Sequence, residues 1–307
     1  MSKKKLVIIA GPTAVGKTEY AIKYAKANNG EIVSLDTVQM YKLLDIGSAK
    51  PSMEELAEVK HYMIDEFEPD VNLSVKEFKE VATRYIEEIY IKGKLPILVG
   101  GSGFYINAIL YDTEFLYEDD TEAEKVRNEL HALYNEKGID YIYDILKNID
   151  IEATKYIDKN NVKRVIRAIE FYKLHNMPIS EHNRLEKMKE SPYDYKYYVL
   201  NMERDRLYER INRRVDLMIE KGLLKEVKLL IDRGFGRELN SMMSIGYKEL
   251  YDFVRDRDII LSIDDLNDSD KKELNIIIDE IKKHSRNYAK RQLTWFRSQK
   301  NIIWKDV

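Results

Sequence analysis

The sequence of 307 residues contains no cysteine, and that absence excludes several kinds of chemistry. Without cysteine there is no disulfide, no thiol nucleophile and no cysteine-ligated zinc. The sequence also lacks a run of the roughly 20 apolar residues that a membrane-spanning helix requires, so we expect no membrane partner. A chain without disulfides is compatible with a reducing compartment, and we expect a cytoplasmic protein.

The chain has no large net charge either, because 51 basic residues nearly balance 54 acidic ones. A balanced total leaves a nucleic-acid partner open, since the local distribution of charge decides that question. The distribution is uneven: residues 114–124 are acidic without a basic residue, whereas residues 282–300 contain seven basic residues and no acidic one. Hydrophobic residues make up 44% of the chain, which is enough to build packed domains.

Short apolar runs alternate with helix-like segments in the first third of the chain. Residues 6–10, 31–35 and 95–99 have the composition of strands buried on both faces. Helical patterns occupy residues 18–26 and 73–92 between them. This alternation predicts an α/β fold, a parallel sheet flanked by helices.

The pattern changes after about residue 115, because residues 121–190 read as mostly helical without strand-like runs. We predict a P-loop core domain from residues 1–115 and 195–307, with a helical insertion domain at 116–194. The apolar run within 195–201 is predicted to return to the sheet. Residues 256–273 are interpreted as an acidic connector and helix start, and residues 275–297 as the last helix.

A phosphate-binding motif follows the first predicted strand and precedes a predicted helix. The residues that match G-x-x-x-x-G-K-[ST] are Gly11, Pro12, Thr13, Ala14, Val15, Gly16, Lys17 and Thr18. The glycines let the backbone N–H groups and the helix N-terminus approach an anion. Lys17 neutralises phosphate charge and Thr18 can hold Mg²⁺, so the motif predicts a diphosphate or triphosphate ligand with magnesium.

The sequence lacks the acidic residue that NTPases place after a buried strand, because the strand at 95–99 ends in glycine. ATP hydrolysis is therefore less expected.

Asp36 follows the second strand at the same sheet edge as the phosphate loop, where it can act as a general base; a helix cap or a magnesium-shell ligand is the alternative. Ser102 follows the third strand and can contact a leaving group or acceptor, although such a glycine turn is often only a turn. Gln39 can orient a planar acceptor.

Cations and aromatic residues alternate near the end of the chain. Tyr288, Trp295 and Phe296 are interleaved with the basic residues of 282–300, a pattern that favours RNA contact. The alternative is a solvated helix face with core aromatics. Arg210 and Arg214 are one helical turn apart and can clamp a diphosphate, with ordinary surface ion pairing as the alternative.

Taken together, the ordered motifs resemble the tRNA dimethylallyltransferase family, also called tRNA isopentenyltransferase, of the bacterial type. The resemblance covers about residues 6 to 297. It is carried by residues 11–18, 36–41 (DTVQMY), 45–51 (DIGSAKP), 100–105 (GGSGFY), 163–168 (KRVIRA), 245–249 (IGYKE) and 290–295 (KRQLTW).

The resemblance implies a P-loop NTPase-like fold and a defined reaction. The enzyme would transfer the dimethylallyl group of dimethylallyl diphosphate to the exocyclic N6 amine of the adenine that follows the anticodon in tRNA. Asp36, Lys17, Thr18 and Ser102 would be catalytic, with Mg²⁺ on Thr18. The anticodon stem-loop would lie between core and insertion, and we expect a monomer.

Family members contact tRNA through residues that match several segments of this chain. By resemblance these are Asp36, Thr37, Val38, Gln39, Ser102, Arg127, Lys163, Arg164, Arg167, Gly246, Tyr247, Lys248, Lys290, Arg291, Gln292, Trp295 and Arg297. Thr37 stands where serine is usual and Ser102 where threonine is usual; both keep a hydroxyl. The alternatives are a P-loop small-molecule or nucleotide kinase, an RNA-binding protein with a relic P-loop, and an enzyme that prenylates free adenine nucleotides.

Overall fold

A computed structural model describes residues 3–116, 120–257 and 266–307, and these residues form two compact units. The first unit comprises Met1–Leu110 and Pro192–Val307, and the second comprises Tyr111–Ser191. The insertion therefore begins five residues before, and ends three residues before, the bounds of 116–194 expected from the sequence. Part of the acidic stretch at 114–124 and part of the connector at 256–273 lie outside the described residues.

One parallel sheet forms the centre of the first unit, which confirms the predicted fold class. Its six strands are β1 (Lys4–Ala10), β2 (Gly30–Ser34), β3 (His61–Tyr62), β4 (Leu95–Gly100), β5 (Tyr193–Asn201) and β6 (Ile303–Asp306). They are arranged in the order β3-β2-β4-β1-β5-β6, and all pairs are parallel. The return of the 195–201 segment to the sheet is confirmed, because β5 pairs with β1 from Lys4↔Tyr193 to Ala10↔Val199.

Eleven α-helices occur among the described residues. In chain order they are α1 (Lys17–Ala27), α2 (Met53–Glu58), α3 (Val75–Ile91), α4 (Gly103–Leu110), α5 (Asp120–Ile149), α6 (Val162–His175), α7 (Ile179–Met188), α8 (Arg204–Glu220), α9 (Leu223–Asp232), α10 (Tyr247–Arg255) and α11 (Asp268–Arg297). Within the described residues, no helix combines the length and the hydropathy that crossing a bilayer requires. The last helix begins seven residues earlier than predicted, because Asn267 caps it by accepting hydrogen bonds from the N–H groups of Ser269 and Asp270.

The core of the first unit positions the loops that follow the strands. On one face of the sheet, Val7, Ile9 and Ile97 pack in a cluster with residues of α1 and α8 such as Ile22 and Ile211, all almost fully buried. Because β1, β2 and β4 are adjacent and parallel, their carboxyl ends meet at one edge. The phosphate loop, the loop that carries Asp36 and the turn that carries Ser102 therefore emerge side by side.

The second unit has its own helical core. Helices α5 and α6 pack through fully buried residues that include Leu130, Ile142, Leu146 and Val165. Helix α5 is interrupted at Gly138, which adopts φ 78° and ψ 176°. The predicted helical character of the insertion is thus present in the structure.

Candidate active site

The phosphate loop has the geometry that its sequence predicts. Gly16 adopts a left-handed conformation (φ 101°) that favours glycine, and helix α1 begins at the next residue, Lys17. At the start of the loop, a Cβ on Gly11 would lie 2.9 Å from the carbonyl oxygen of Leu200, so only glycine fits there. The loop consequently presents the N-terminus of α1, with its unsatisfied N–H groups, to the cavity.

Two half-buried cations, Lys17 and Arg214, stand beside one carboxylate at this loop. The Lys17 ammonium donates to the carbonyl oxygens of Gly11 (3.1 Å) and Pro12 (2.8 Å). Burial lowers the pKa of Lys17 to about 8, an effect that the charge of Asp36 opposes and that of Arg214 reinforces. Burial also lowers the pKa of Arg214, again opposed by Asp36. A surplus of half-buried positive charge next to helix N–H groups suits an anionic ligand.

The structure brings both predicted clamp arginines to the phosphate loop. Arg214 donates from its guanidinium to the hydroxyl of Thr13 (2.5 Å). The Arg210 guanidinium lies 3.7 Å from where a Cβ on Gly16 would be, and both arginines line the same cavity. A diphosphate in the loop would therefore meet Lys17 and two guanidinium groups.

Asp36 is held in place by the backbone that follows it. Its Oδ1 accepts hydrogen bonds from the N–H groups of Val38 (2.9 Å) and Gln39 (3.3 Å). These two bonds close a turn at residues 37–40 and use a single carboxylate oxygen. The helix-cap alternative is wrong, because the next helix begins only at Met53. Asp36 also lines the cavity together with Lys17, and its second oxygen, which the turn does not use, suits proton transfer.

Side chains of α11 pack directly on the turn that carries Ser102. A Cβ on Gly101 would collide with the Gln292 amide, and one on Gly103 would collide with the Trp295 indole. The Gly-Gly-Ser-Gly sequence is therefore required by close packing as well as by the turn. Ser102 itself lines the cavity, and its carbonyl oxygen accepts from Ile106 N–H at the start of α4.

Tyr288 is a cavity residue that the sequence pattern indicated only as one of several interleaved aromatics. Burial raises the pKa of the Tyr288 phenol, and the charge of Asp36 adds to that effect, while Ser102, Arg291 and Gln292 oppose it. The available signal was helical spacing, because Tyr288, Gln292 and Trp295 stand at i, i+4 and i+7 on α11.

The cavity that these groups share has a volume of about 850 Å³, which is ample for a diphosphate and a nucleobase together. Its polar end contains Lys17, Arg214 and Asp36, and Met218 and Ile281 supply an apolar part of the wall. All of its lining residues belong to the first unit.

The loop at residues 45–51 is anchored by a carboxylate that the sequence did not single out. Glu226 of α9 is 9% exposed and accepts from the N–H groups of Asp45 (2.9 Å), Ile46 (2.7 Å) and Gly47 (3.0 Å). It also accepts from the Tyr247 hydroxyl at 2.7 Å. This arrangement corrects one expectation: the Tyr247 side chain is fully buried, so it supports the loop and cannot contact tRNA directly.

Two predicted tRNA-contacting amides are also engaged within the protein. The Gln39 amide donates to the carbonyl oxygens of Ser48 (3.3 Å) and Ala49 (3.2 Å). Gln292 is 6% exposed and bridges two loops, so its amide is engaged within the protein and its predicted tRNA contact stays a prediction. By contrast, Lys290, Arg291 and Arg297 are exposed on α11, so their predicted RNA contacts remain sterically open.

In the second unit, the predicted cations lie on α6 and α5. Lys163, Arg164 and Arg167 are exposed. Arg127 donates to the buried carboxylate of Glu170 (2.7 Å), and Arg167 approaches the same group at 3.3 Å. Arg127 thus has a structural partner within its own unit, and its predicted tRNA contact stays a prediction.

Comparison with known proteins agrees with this geometry. The family model described as IPP transferase matches residues 39–299. A tRNA dimethylallyltransferase of Lachnoclostridium phytofermentans is 46% identical over 299 residues, which are 97% of this chain and 90% of that protein. One of Acetivibrio thermocellus is 44% identical over 300 residues, with the same shares covered.

Solved structures give the same result. A full-length tRNA isopentenylpyrophosphate transferase of Bacillus halodurans is 43% identical, with a TM-score of 0.68 over 99% of this chain and 90% of that one. A eukaryotic dimethylallyltransferase, captured acting on tRNA, has a TM-score of 0.80 at 26% identity, over 99% of this chain and 74% of that one. The chain therefore belongs to the tRNA dimethylallyltransferase (IPP transferase) family, an enzyme family, as its motifs predict.

Proposed function

We propose that this enzyme transfers the dimethylallyl group of dimethylallyl diphosphate to the N6 amine of the adenine 3′ to the tRNA anticodon. The observation that carries the proposal is the shared cavity. Its phosphate loop, with Lys17 and Arg214, suits a departing diphosphate, and Asp36 lines the same space as the group that would receive a proton.

The chemistry follows from these positions. The C1–O bond of the donor breaks and its electron pair leaves with pyrophosphate, while the adenine N6 forms the new bond to C1. Lys17, Arg210 and Arg214 stabilise the negative charge that develops on the leaving group. Asp36 accepts the proton that N6 loses, and Ser102 is placed to hydrogen-bond the reacting oxygen or amine.

Magnesium is proposed as the cofactor. Mg²⁺ usually keeps several waters and binds through one or two protein oxygens together with the phosphates of a substrate. Thr18 lines the cavity at the start of α1, where its hydroxyl would be the protein ligand. When bound, Mg²⁺ would add positive charge against the diphosphate.

The tRNA substrate is supported by the relatives' names and by the structural neighbour that acts on tRNA. The exposed cations Lys290, Arg291 and Arg297, with the partly exposed Trp295, offer phosphate contacts and a stacking surface. The target adenine has to leave its stack to enter the cavity. We further propose that the enzyme acts as a monomer in the cytoplasm.

The test is transfer in vitro. Unmodified tRNA is incubated with dimethylallyl diphosphate and Mg²⁺, the tRNA is digested, and its nucleosides are analysed by mass spectrometry. We expect an isopentenyl adduct on adenosine that depends on both substrates. Phosphoryl transfer from ATP without any adduct would instead support the kinase, which the relatives do not favour.

A further inference from the structure

Gln292 makes contacts that differ from those of its neighbours in the KRQLTW segment. Its side chain is almost fully buried, and its Oε1 accepts from Thr13 N–H at 2.8 Å. Its Nε2 donates to the carbonyl oxygen of Gly101 at 3.0 Å. The two partners fix the orientation of the amide, because a backbone N–H can only donate and a carbonyl can only accept.

These two hydrogen bonds join the loops that follow adjacent strands. Thr13 belongs to the phosphate loop after β1, and Gly101 belongs to the turn after β4, where Ala10 and Gly100 are paired. Thr13 is held a second time, because its hydroxyl accepts from Arg214. Glycine at position 101 leaves the room that the Gln292 amide occupies.

The bridge therefore controls two parts of the reaction site. Thr13 stands at the start of the loop that ends in Lys17 and Thr18, so its position sets where the N–H groups face the diphosphate. Gly101 directly precedes Ser102, so the position of Gly101 determines where the Ser102 hydroxyl lies. A displacement of about 1 Å at such a site costs on the order of 10²-fold in rate.

We propose that Gln292 is a positioning residue for the donor side of the reaction. It fixes the positions of the phosphate loop and of Ser102, and it makes no contribution to tRNA binding. The proposal rests on the proposed function for the identity of the two substrates. It assigns residues two positions apart on one helix to different substrates: Gln292 serves the diphosphate, and the exposed Lys290 serves the RNA.

Two binding measurements on the full-length protein test this assignment without relying on turnover. Inorganic pyrophosphate with Mg²⁺ is titrated calorimetrically, and a fluorescent anticodon stem-loop RNA is titrated by anisotropy. In Gln292→Met, which keeps the volume but loses both hydrogen bonds, pyrophosphate should bind about 10- to 100-fold more weakly, with unchanged RNA affinity. Transfer at saturating tRNA should fall while the KM for tRNA stays the same.

Lys290→Gln is the matched control. It should weaken RNA binding and reduce its salt dependence, with the pyrophosphate affinity unchanged. Gln292→Glu covers the case in which the methionine variant does not fold, because it keeps the acceptor for Thr13 N–H. It loses the donor to Gly101 and adds a negative charge, so pyrophosphate should again bind more weakly.

Weaker RNA binding with unchanged pyrophosphate affinity, in either Gln292 variant, would overturn the assignment. So would full retention of both affinities and of transfer. A wild-type protein that binds pyrophosphate but modifies no tRNA would contradict the proposed function instead, and the pyrophosphate titrations of the Gln292 variants would still test the bridge.

Discussion

Replacing Asp36 separates its two roles, because an asparagine side chain preserves one of them. In Asp36→Asn, the amide oxygen can still accept from the N–H groups of Val38 and Gln39, the bonds found at 2.9 and 3.3 Å. The side chain loses its ability to accept a proton. General-base catalysis contributes about 10²–10⁴-fold in rate, so transfer should fall by that factor. The loss of stability should be smaller than in Asp36→Ala, because the two hydrogen bonds of the turn are kept.

Asp36→Ala removes the turn hydrogen bonds as well as the base. Its transfer rate should fall by a similar factor, and the loss of these hydrogen bonds should destabilise the fold by about 1 kcal/mol. Both variants should bind inorganic pyrophosphate at least as tightly as the wild type, since they remove a negative charge beside Lys17 and Arg214.

The assay is single-turnover transfer with saturating tRNA and donor, combined with thermal unfolding and pyrophosphate titration. Single-turnover conditions matter because release of modified tRNA would mask a slower chemical step. If Asp36→Asn transferred at the wild-type rate while only Asp36→Ala was impaired, Asp36 would serve only to hold the turn at residues 37–40. Another group would then be the base.

Three further predictions concern the donor site and its supports. Burial lowers the pKa of Lys17 to about 8, so its charge is lost as the pH rises through 8. Calorimetry should therefore show weaker pyrophosphate binding at pH 9 than at pH 7. In Lys17→Arg the difference between the two pH values should be smaller. Glu226→Gln should lower the stability measured by denaturant unfolding by about 1–3 kcal/mol, because an amide cannot accept from all three N–H groups and the Tyr247 hydroxyl. Gly101→Ala should displace Gln292 and weaken pyrophosphate binding, and the double variant with Gln292→Met should be no worse than the worse single variant.

The fold was predictable wherever burial was continuous along a strand. β1, β2 and β4 are recognisable as apolar runs, because helices cover both faces of the sheet and exclude polar residues there. β6 has four exposed residues and β3 has two residues, so neither carries a burial pattern that a sequence can reveal. Their pairing depends on neighbouring strands and is a tertiary effect.

The residues of the candidate site were likewise predictable only where local geometry determines the sequence. The phosphate loop and Asp36 were predictable because local backbone geometry dictates their sequence, through the left-handed Gly16 and the turn after β2. Glu226 was not, because its four donors come from residues 45–47 and from Tyr247, distant in sequence. A buried carboxylate of this kind has no local signature.

The KRQLTW segment shows why resemblance assigns a segment more reliably than it assigns its residues. Successive residues of a helix are separated by about 100°, so a motif of six residues necessarily spans every face. On α11 the stripe at i, i+4 and i+7 from Tyr288 faces the cavity and the glycine turn, whereas Lys290 lies on the opposite side and is exposed. Buried amides in such a stripe must satisfy their hydrogen bonds inside the protein, and Gln292 does so on the phosphate loop. Burial therefore divides one helix between side chains that support the cavity and side chains that are open to solvent.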